Sequence, residues 1–209
     1  MRLILVRHGE TAWHRAGRRV GRADVPLNER GFAQARALAL SFARRPTAIY
    51  ASPLLRAQQT AEPLASSSGI AVRTLAELIE MDVGEMAHLN KRELRARYPE
   101  FVARWRSDDV ADARAPGGET LREVQARAWR AVEQLGLSHP ADDVVVVTHD
   151  FVIRTIICRA LGLPLSRMRS LRPDLAAKTV IELSKGGERL LHFNDGSHLA
   201  GACAAASPR

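Results

Sequence analysis

The stretch "DDVVVVTHDFVIRTIICRALG" (142–162) constrains the fold of this chain more than any other. Four consecutive valines leave no polar face, and β-branched side chains favour a strand, so the run predicts a strand buried on both sides. That is the condition of a parallel sheet covered by helices. The almost wholly apolar run that follows reads as one such helix, with Asp150 as its cap and Gly162 as its stop.

The same alternation recurs along the chain. Arg2 to Val6 reads as a short buried strand, and "PLNERGFAQARALALSFARR" (26–45) places Phe32, Ala35, Leu38, Ala39 and Phe42 at helical spacing behind an Asn28 cap. "TAIYAS" (47–52) is a second strand, and the helix after it is expected to start with Ser52 as cap and Pro53 in its first turn, which puts Arg56 near its N-terminus. Segment 72–84 reads as an extended piece entering a loop, "NKRELRARYPEFVARWR" (90–106) as a polar helical stretch, and 119–136 as an amphipathic helix closed by Gly136. "TVIELSKGGERLLHFND" (179–195) reads as a hairpin. The fold class expected is α/β, a three-layer sandwich with a mainly parallel central sheet. Residues 1–199 are read as a single domain and 200–209 as a flexible tail.

Composition excludes several classes of function. No run approaches the ~18 apolar residues of a membrane span, and "LILV" is too short for a signal peptide, so a cytoplasmic protein with no membrane partner is expected. Cys158 and Cys203 make neither a disulfide framework nor a zinc site. The net charge of +8 comes from arginines scattered along the chain without basic and aromatic clusters, which points away from nucleic acid and suits a small anionic substrate. "EFVARW" (100–105) is read as a helix face rather than a dimer patch, with a homodimer left open.

In open α/β sheets ligands bind outside the carboxyl ends of the strands. Arg7 and His8 follow the first strand, Arg56 the second and His149 the valine strand, so four basic side chains converge on one sheet edge. Guanidinium forks and a helix N-terminus suit a phosphate, while neither glycine-rich nucleotide loop, G-x-x-x-x-G-K-[ST] nor G-x-G-x-x-G, follows the first strand.

With these residues assembled, the chain resembles the histidine phosphatase superfamily, in its phosphoglycerate-mutase-like branch. The motifs that carry the resemblance run in family order over almost the whole chain: "LVRHGET" (5–11), "PLNERGFAQA" (26–35), "ASPLLRAQQTA" (51–61), "LIEMDVGE" (78–85), "PGGETLREVQAR" (116–127), "VVTHDFVIR" (146–154) and "FNDGSHL" (193–199). The resemblance implies that His8 is a nucleophile that takes a phosphoryl group and yields it to water. It implies that Arg7, Arg56 and His149 surround the phosphate, His149 completing the catalytic set, and that Glu80 protonates the leaving oxygen and then deprotonates water. Glu10 and Thr11 are expected to hold the loop, and Trp13, Trp105 and Trp129 to pack. No cofactor and no metal is implied.

Three departures concern the substrate. His14 stands where the family usually has a phosphate-donating Asn, and is expected to contact phosphate. "MAH" (86–88) replaces Trp-Glu-Gly, so the rim near Met86 and His88 is expected to differ, with specificity in the loops 12–24 and 86–116. Asp150 replaces a glycine. The interval from Glu80 to Pro116 lacks the long proline-containing insertion of the mutases, which favours hydrolysis. The expected function is a metal-independent phosphomonoesterase, of histidine acid phosphatase type, acting on a small phosphorylated metabolite. A cofactor-dependent phosphoglycerate mutase and a noncatalytic phosphate-binding regulatory protein are the alternatives.

Overall fold

The computed structural model describes residues 1–200, and all but the first residue of the expected tail 200–209 lies outside them. The valine strand β4 (Asp143–Thr148) lies inside a six-stranded sheet flanked by β1 (Arg2–Arg7) and β2 (Ala48–Ala51), both parallel to it. β3 (Val72–Thr74) continues the sheet in parallel beyond β2, and β5 (Lys178–Ser184) and β6 (Gly187–Asp195) form an antiparallel hairpin beside β1. The order is β3-β2-β4-β1-β5-β6, so the sheet is mainly parallel, as expected.

Both faces of β4 are buried because alternate valines join different cores. Val144 and Val146 pack with Leu3, Leu5 and Tyr50 under α6 (Leu121–Ser138) and α7 (Asp150–Ala160). Val145 and Val147 pack with Ile4, Val6, Ile49 and Ala51 under α2 (Glu29–Leu40) and α3 (Leu55–Ser68). A fully buried valine contributes about 1.5–3 kcal/mol, so this strand anchors both layers at once. A short helix, α1 (Ala12–Arg15), follows β1, and α4 (Lys91–Arg97) and α5 (Pro99–Arg106) lie between β3 and α6.

Several helix ends differ from their expected positions. The stretch 90–106 is two helices broken at Tyr98, because Pro99 drives the residue before it out of helical geometry. α6 does not stop at Gly136 but runs to Ser138, and His139, which caps it, is held by Tyr50 Oη at 3.0 Å and Asp142 at 3.0 Å. α3 starts at Leu55 behind Leu54, with Arg56 still in its first turn, and Ser52 is not its cap. α7 is capped at His149, while Asp150 is its first helical residue, its carboxylate taken by Arg154 at 2.8 Å and Arg7 at 3.6 Å rather than by backbone N–H groups. No helix among the described residues is long and apolar enough to cross a membrane.

Candidate active site

The register of β1 and β4 builds the site. Arg7 pairs with Thr148, so the next residues along, His8 and His149, stand side by side with ring centroids 5.1 Å apart. β2 ends one step earlier against Val147, which sets Ser52 beside His149, Oγ to Nε2 at 2.7 Å. Around this edge lies a cavity of about 210 Å³ whose lining includes Arg7, His8, His14, Arg56, Glu80 and Asp150. Every residue expected in the site is therefore in the cavity wall except His149, which is fully buried directly behind His8.

His8 is fixed in one tautomer. Its Nδ1 lies 2.8 Å from Gly9 O, which can only accept, so Nδ1 carries the proton and Nε2 keeps a lone pair. Arg56 Nε donates to that lone pair at 3.2 Å. The glycine after His8 is required by close approach: a Cβ on Gly9 would stand 2.8 Å from Gly31 O, and one on Gly31 only 2.2 Å from Glu10 O. α2, capped by the Asn28 side chain on Gly31 N, thus backs directly against the loop that carries His8. Gly9 N donates to Thr60 Oγ1 at 3.0 Å, Glu10 N to Gln34 at 2.8 Å, and the Glu10 carboxylate takes Asn28, so Glu10 holds the loop as expected.

Arg56 is fully buried in the first turn of α3. Its other nitrogens donate to Ala23 O and Gly21 O, both at 2.7 Å, which clamps the loop following α1. Burial brings its pKa down to about 10, still charged at neutral pH. Arg7 donates to Pro173 O at 2.8 Å, while its Nε is buried without a partner, as is Nδ1 of His149. Two polar atoms beside His8 thus lack a protein partner, which a bound anion would supply.

Thr11 caps α1, accepting from His14 N, and its hydroxyl lies 2.7 Å from His14 Nδ1. The His14 ring lies 5.2 Å from that of His8. Burial, with Arg7 and Arg56 near, lowers the His14 pKa to about 4. His8 and His149 are held well below 6.5, first by burial and then by neighbours that oppose a further positive charge, His149, Arg56 and Arg7 for His8 and Arg56, Arg127 and Arg7 for His149. All three imidazoles are therefore neutral at neutral pH.

Glu80 lies in the loop after a 3₁₀ turn, Ala76–Leu78, and burial followed by the charge of Asp150 raises its pKa. Its loop is tied to the end of β4 by Thr148 Oγ1 on Leu78 O at 2.7 Å. Arg127 of α6 donates to Glu77 O, Ile79 O and Glu80 O and to the Glu119 carboxylate. The neighbouring acids are engaged elsewhere, Asp82 with Arg22 and Glu85 with Tyr98 Oη.

Sequence reasoning missed Ser52, Arg127, Arg19 and Phe151, of which the last two line the cavity. Met86 is not at the rim but in the core, with 1% exposure. His88 meets Trp13 edge-on at 4.6 Å, and among the described residues none of 86–116 lines the cavity. Loop 12–24 does line it, as expected. Trp105 packs between Phe101 and Phe151. Among the described residues no group of three His, Cys, Asp or Glu is placed to hold a metal ion.

Comparison with known proteins agrees with this geometry. A family model for the histidine phosphatase superfamily (branch 1) matches residues 3–196. Phosphoserine phosphatase 1 of Hydrogenobacter thermophilus is 34% identical over 200 residues, 95% of this chain and 94% of that one. A metal-independent phosphoserine phosphatase of Arabidopsis thaliana is 38% identical over 161 residues, 75% of this chain and 67% of its own. The solved structure of a mycobacterial glucosyl-3-phosphoglycerate phosphatase superposes with a TM-score of 0.84 at 30% identity, covering 93% of this chain and 99% of that one.

Proposed function

Because the chain belongs to the histidine phosphatase superfamily and is a phosphomonoesterase of small phosphorylated metabolites, we propose that it hydrolyses its substrate in two steps through a phosphoryl group carried on His8 Nε2. The observation that carries this reading is the Nε2 lone pair of a buried, neutral His8 facing a cavity walled by Arg7, Arg56 and Glu80.

In the first step the Nε2 lone pair forms the N–P bond as the ester P–O bond breaks. Glu80, whose burial and nearness to Asp150 favour the protonated form, gives its proton to the departing oxygen. Charge spreads over the equatorial oxygens, which Arg7 and Arg56 neutralise; Arg56 Nε moves from the nitrogen lone pair to an oxygen. Two hydroxyls orient the remaining donors. Ser52 Oγ–H donating to His149 Nε2 leaves Nδ1–H for the phosphoryl group, and Thr11 Oγ1–H donating to His14 Nδ1 leaves Nε2–H. Nδ1–H on Gly9 O steadies the positive phosphoimidazole. In the second step the Glu80 carboxylate takes a proton from water, whose oxygen attacks phosphorus, the N–P bond breaks, and phosphate leaves with Glu80 protonated again.

None of these steps calls for a metal, and the name of the Arabidopsis relative supports metal independence. The substrate is a free metabolite in the cytoplasm, with no nucleic acid or membrane involved. The test compares p-nitrophenyl phosphate hydrolysis by the intact protein and His8→Ala in EDTA. Turnover by the intact protein alone is expected; equal turnover by both overturns the assignment of His8.

A further inference from the structure

We infer that Arg19, with Arg18 beside it, forms a second anion subsite at the mouth of the cavity, so that the preferred substrate is a phosphate monoester whose alcohol part carries its own carboxylate or phosphate. This rests on the proposal that His8 receives the phosphoryl group and adds the character of the leaving group.

The backbone of this loop is held in place while the two guanidinium groups are not engaged. Gly21 O and Ala23 O accept from Arg56, Arg19 O accepts from His88 N at 3.2 Å, and Arg18 N donates to Trp13 O at 3.0 Å. Arg22, next to them in the same loop, spends its guanidinium on Asp82, Glu119 and Glu80 O. Arg127 and Arg154, on the elements opposite, are likewise paired with Glu119 and Asp150. Arg18 and Arg19 differ: among the described residues neither side chain has a hydrogen bond or ion pair, and the Nε of Arg19 is buried without a partner. A buried N–H with no acceptor destabilises a fold, and it is retained where a ligand completes it.

Charge bookkeeping in the wall leads to the same place. Arg7, Arg18, Arg19 and Arg56 line the cavity against two carboxylates, Glu80 and Asp150. Asp150 is offset by Arg154 at 2.8 Å, which lies outside the lining, and the role of Glu80 requires it protonated when substrate binds. A phosphate dianion is matched by Arg7 and Arg56, leaving Arg18 and Arg19 over. In-line displacement directs the leaving group away from His8, which is buried at the cavity floor, and toward the mouth, where Arg18 is exposed and Arg19 half-buried. A second anion on the leaving group therefore arrives at these two arginines.

The test titrates glycolate 2-phosphate, ethyl phosphate and ethylene glycol bisphosphate into the full-length protein in its His8→Ala form, and measures kcat/KM for the same esters with the protein unaltered at position 8. Binding of one or both doubly anionic esters about 10- to 100-fold tighter than ethyl phosphate is expected, the size of one charge-assisted contact, and which one gains distinguishes carboxylate from phosphate. Arg19→Met should bring the ratio close to unity, through KM rather than kcat, and Arg19→Lys should restore part of it. Equal binding of all three esters, or an Arg19→Met ratio unchanged from the parent, overturns the subsite. Loss of hydrolysis with the binding preference intact would instead count against the phosphohistidine route alone.

Discussion

Replacing Arg127 by Met removes the tether that holds Glu80 in place. In the native protein the guanidinium makes five hydrogen bonds, at 2.6 Å to Glu77 O, 2.6 Å to Ile79 O, 3.1 Å to Glu80 O, and 2.9 and 3.1 Å to the Glu119 carboxylate. Its side chain is 12% exposed and that of Glu119 18%, so the pair is only weakly screened. Breaking such a pair from one side costs about 3–5 kcal/mol when the remaining charge is stranded. Glu119 keeps Arg22 at 3.0 Å, which puts the loss near the lower end, about 3 kcal/mol. For a chain of this size that corresponds to a fall in Tm of about 6–12 °C. The catalytic effect should depend on the leaving group. General acid catalysis contributes about 10²–10⁴, and a loosened Glu80 loop forfeits part of it, about 10- to 100-fold in kcat for alkyl phosphates. p-Nitrophenolate leaves without much need of a proton, so its turnover should fall far less. Thermal melting and paired kinetics on ethyl and p-nitrophenyl phosphate measure both. A variant that melts within about 2 °C of the parent, or that slows both substrates equally, would refute the tether.

Other substitutions test other parts of the site. Activity should fall on the basic side as Glu80 loses its proton above its raised pKa, and should hold into mildly acid solution because His8 stays neutral well below 6.5; Glu80→Gln should abolish the basic limb along with most of the rate on alkyl phosphates. His14, at about 4 in the fold and 6.5 unfolded, takes up protons on unfolding, so it stabilises above pH 6.5 and loses that contribution as pH falls toward 4; the Tm of His14→Asn should be less sensitive to pH in that window than the parent's. Ser52→Ala leaves His149 Nε2 unpaired and frees its tautomer, with an expected tenfold order of loss in kcat and a cost of about 1–3 kcal/mol read by urea unfolding. Gly31→Ala, which puts a Cβ 2.2 Å from Glu10 O, should push the His8 loop off α2 and lower both Tm and activity; a variant indistinguishable from the parent would show that the close approach is not needed.

The fold was legible because its central strand admits one solution. A strand apolar on both faces must sit inside a covered sheet, and the residues following β1, β2 and β4 then converge whatever their separation in sequence. His8, Arg7, Arg56 and His149 were found that way, and motif resemblance supplied Glu80 and His14. What stayed hidden depended on partners that only tertiary structure brings together. Ser52 and Asp150 both have good capping side chains, so local propensity assigned them to helix ends; His149 took the first and two arginines the second. Arg127 is one arginine among many on a polar helix face until the Glu80 loop folds onto it. Gly136 suggested a stop, but the helix closes beyond it at His139, whose N–H donates to Leu135 O and whose ring is held by Tyr50 Oη and Asp142. Met86 was assigned to the rim from its place in a motif, whereas its apolar side chain took it into the core.

The central claim is that the phosphoryl group passes through His8. Rapid acid-free quenching of the protein with ³²P-labelled substrate, followed by peptide mapping, tests it directly. A label that is stable to base, labile to acid, confined to the peptide containing His8 and absent from His8→Ala is the predicted result. A protein that turns over substrate while carrying no label, or that carries it on another residue, would contradict the account.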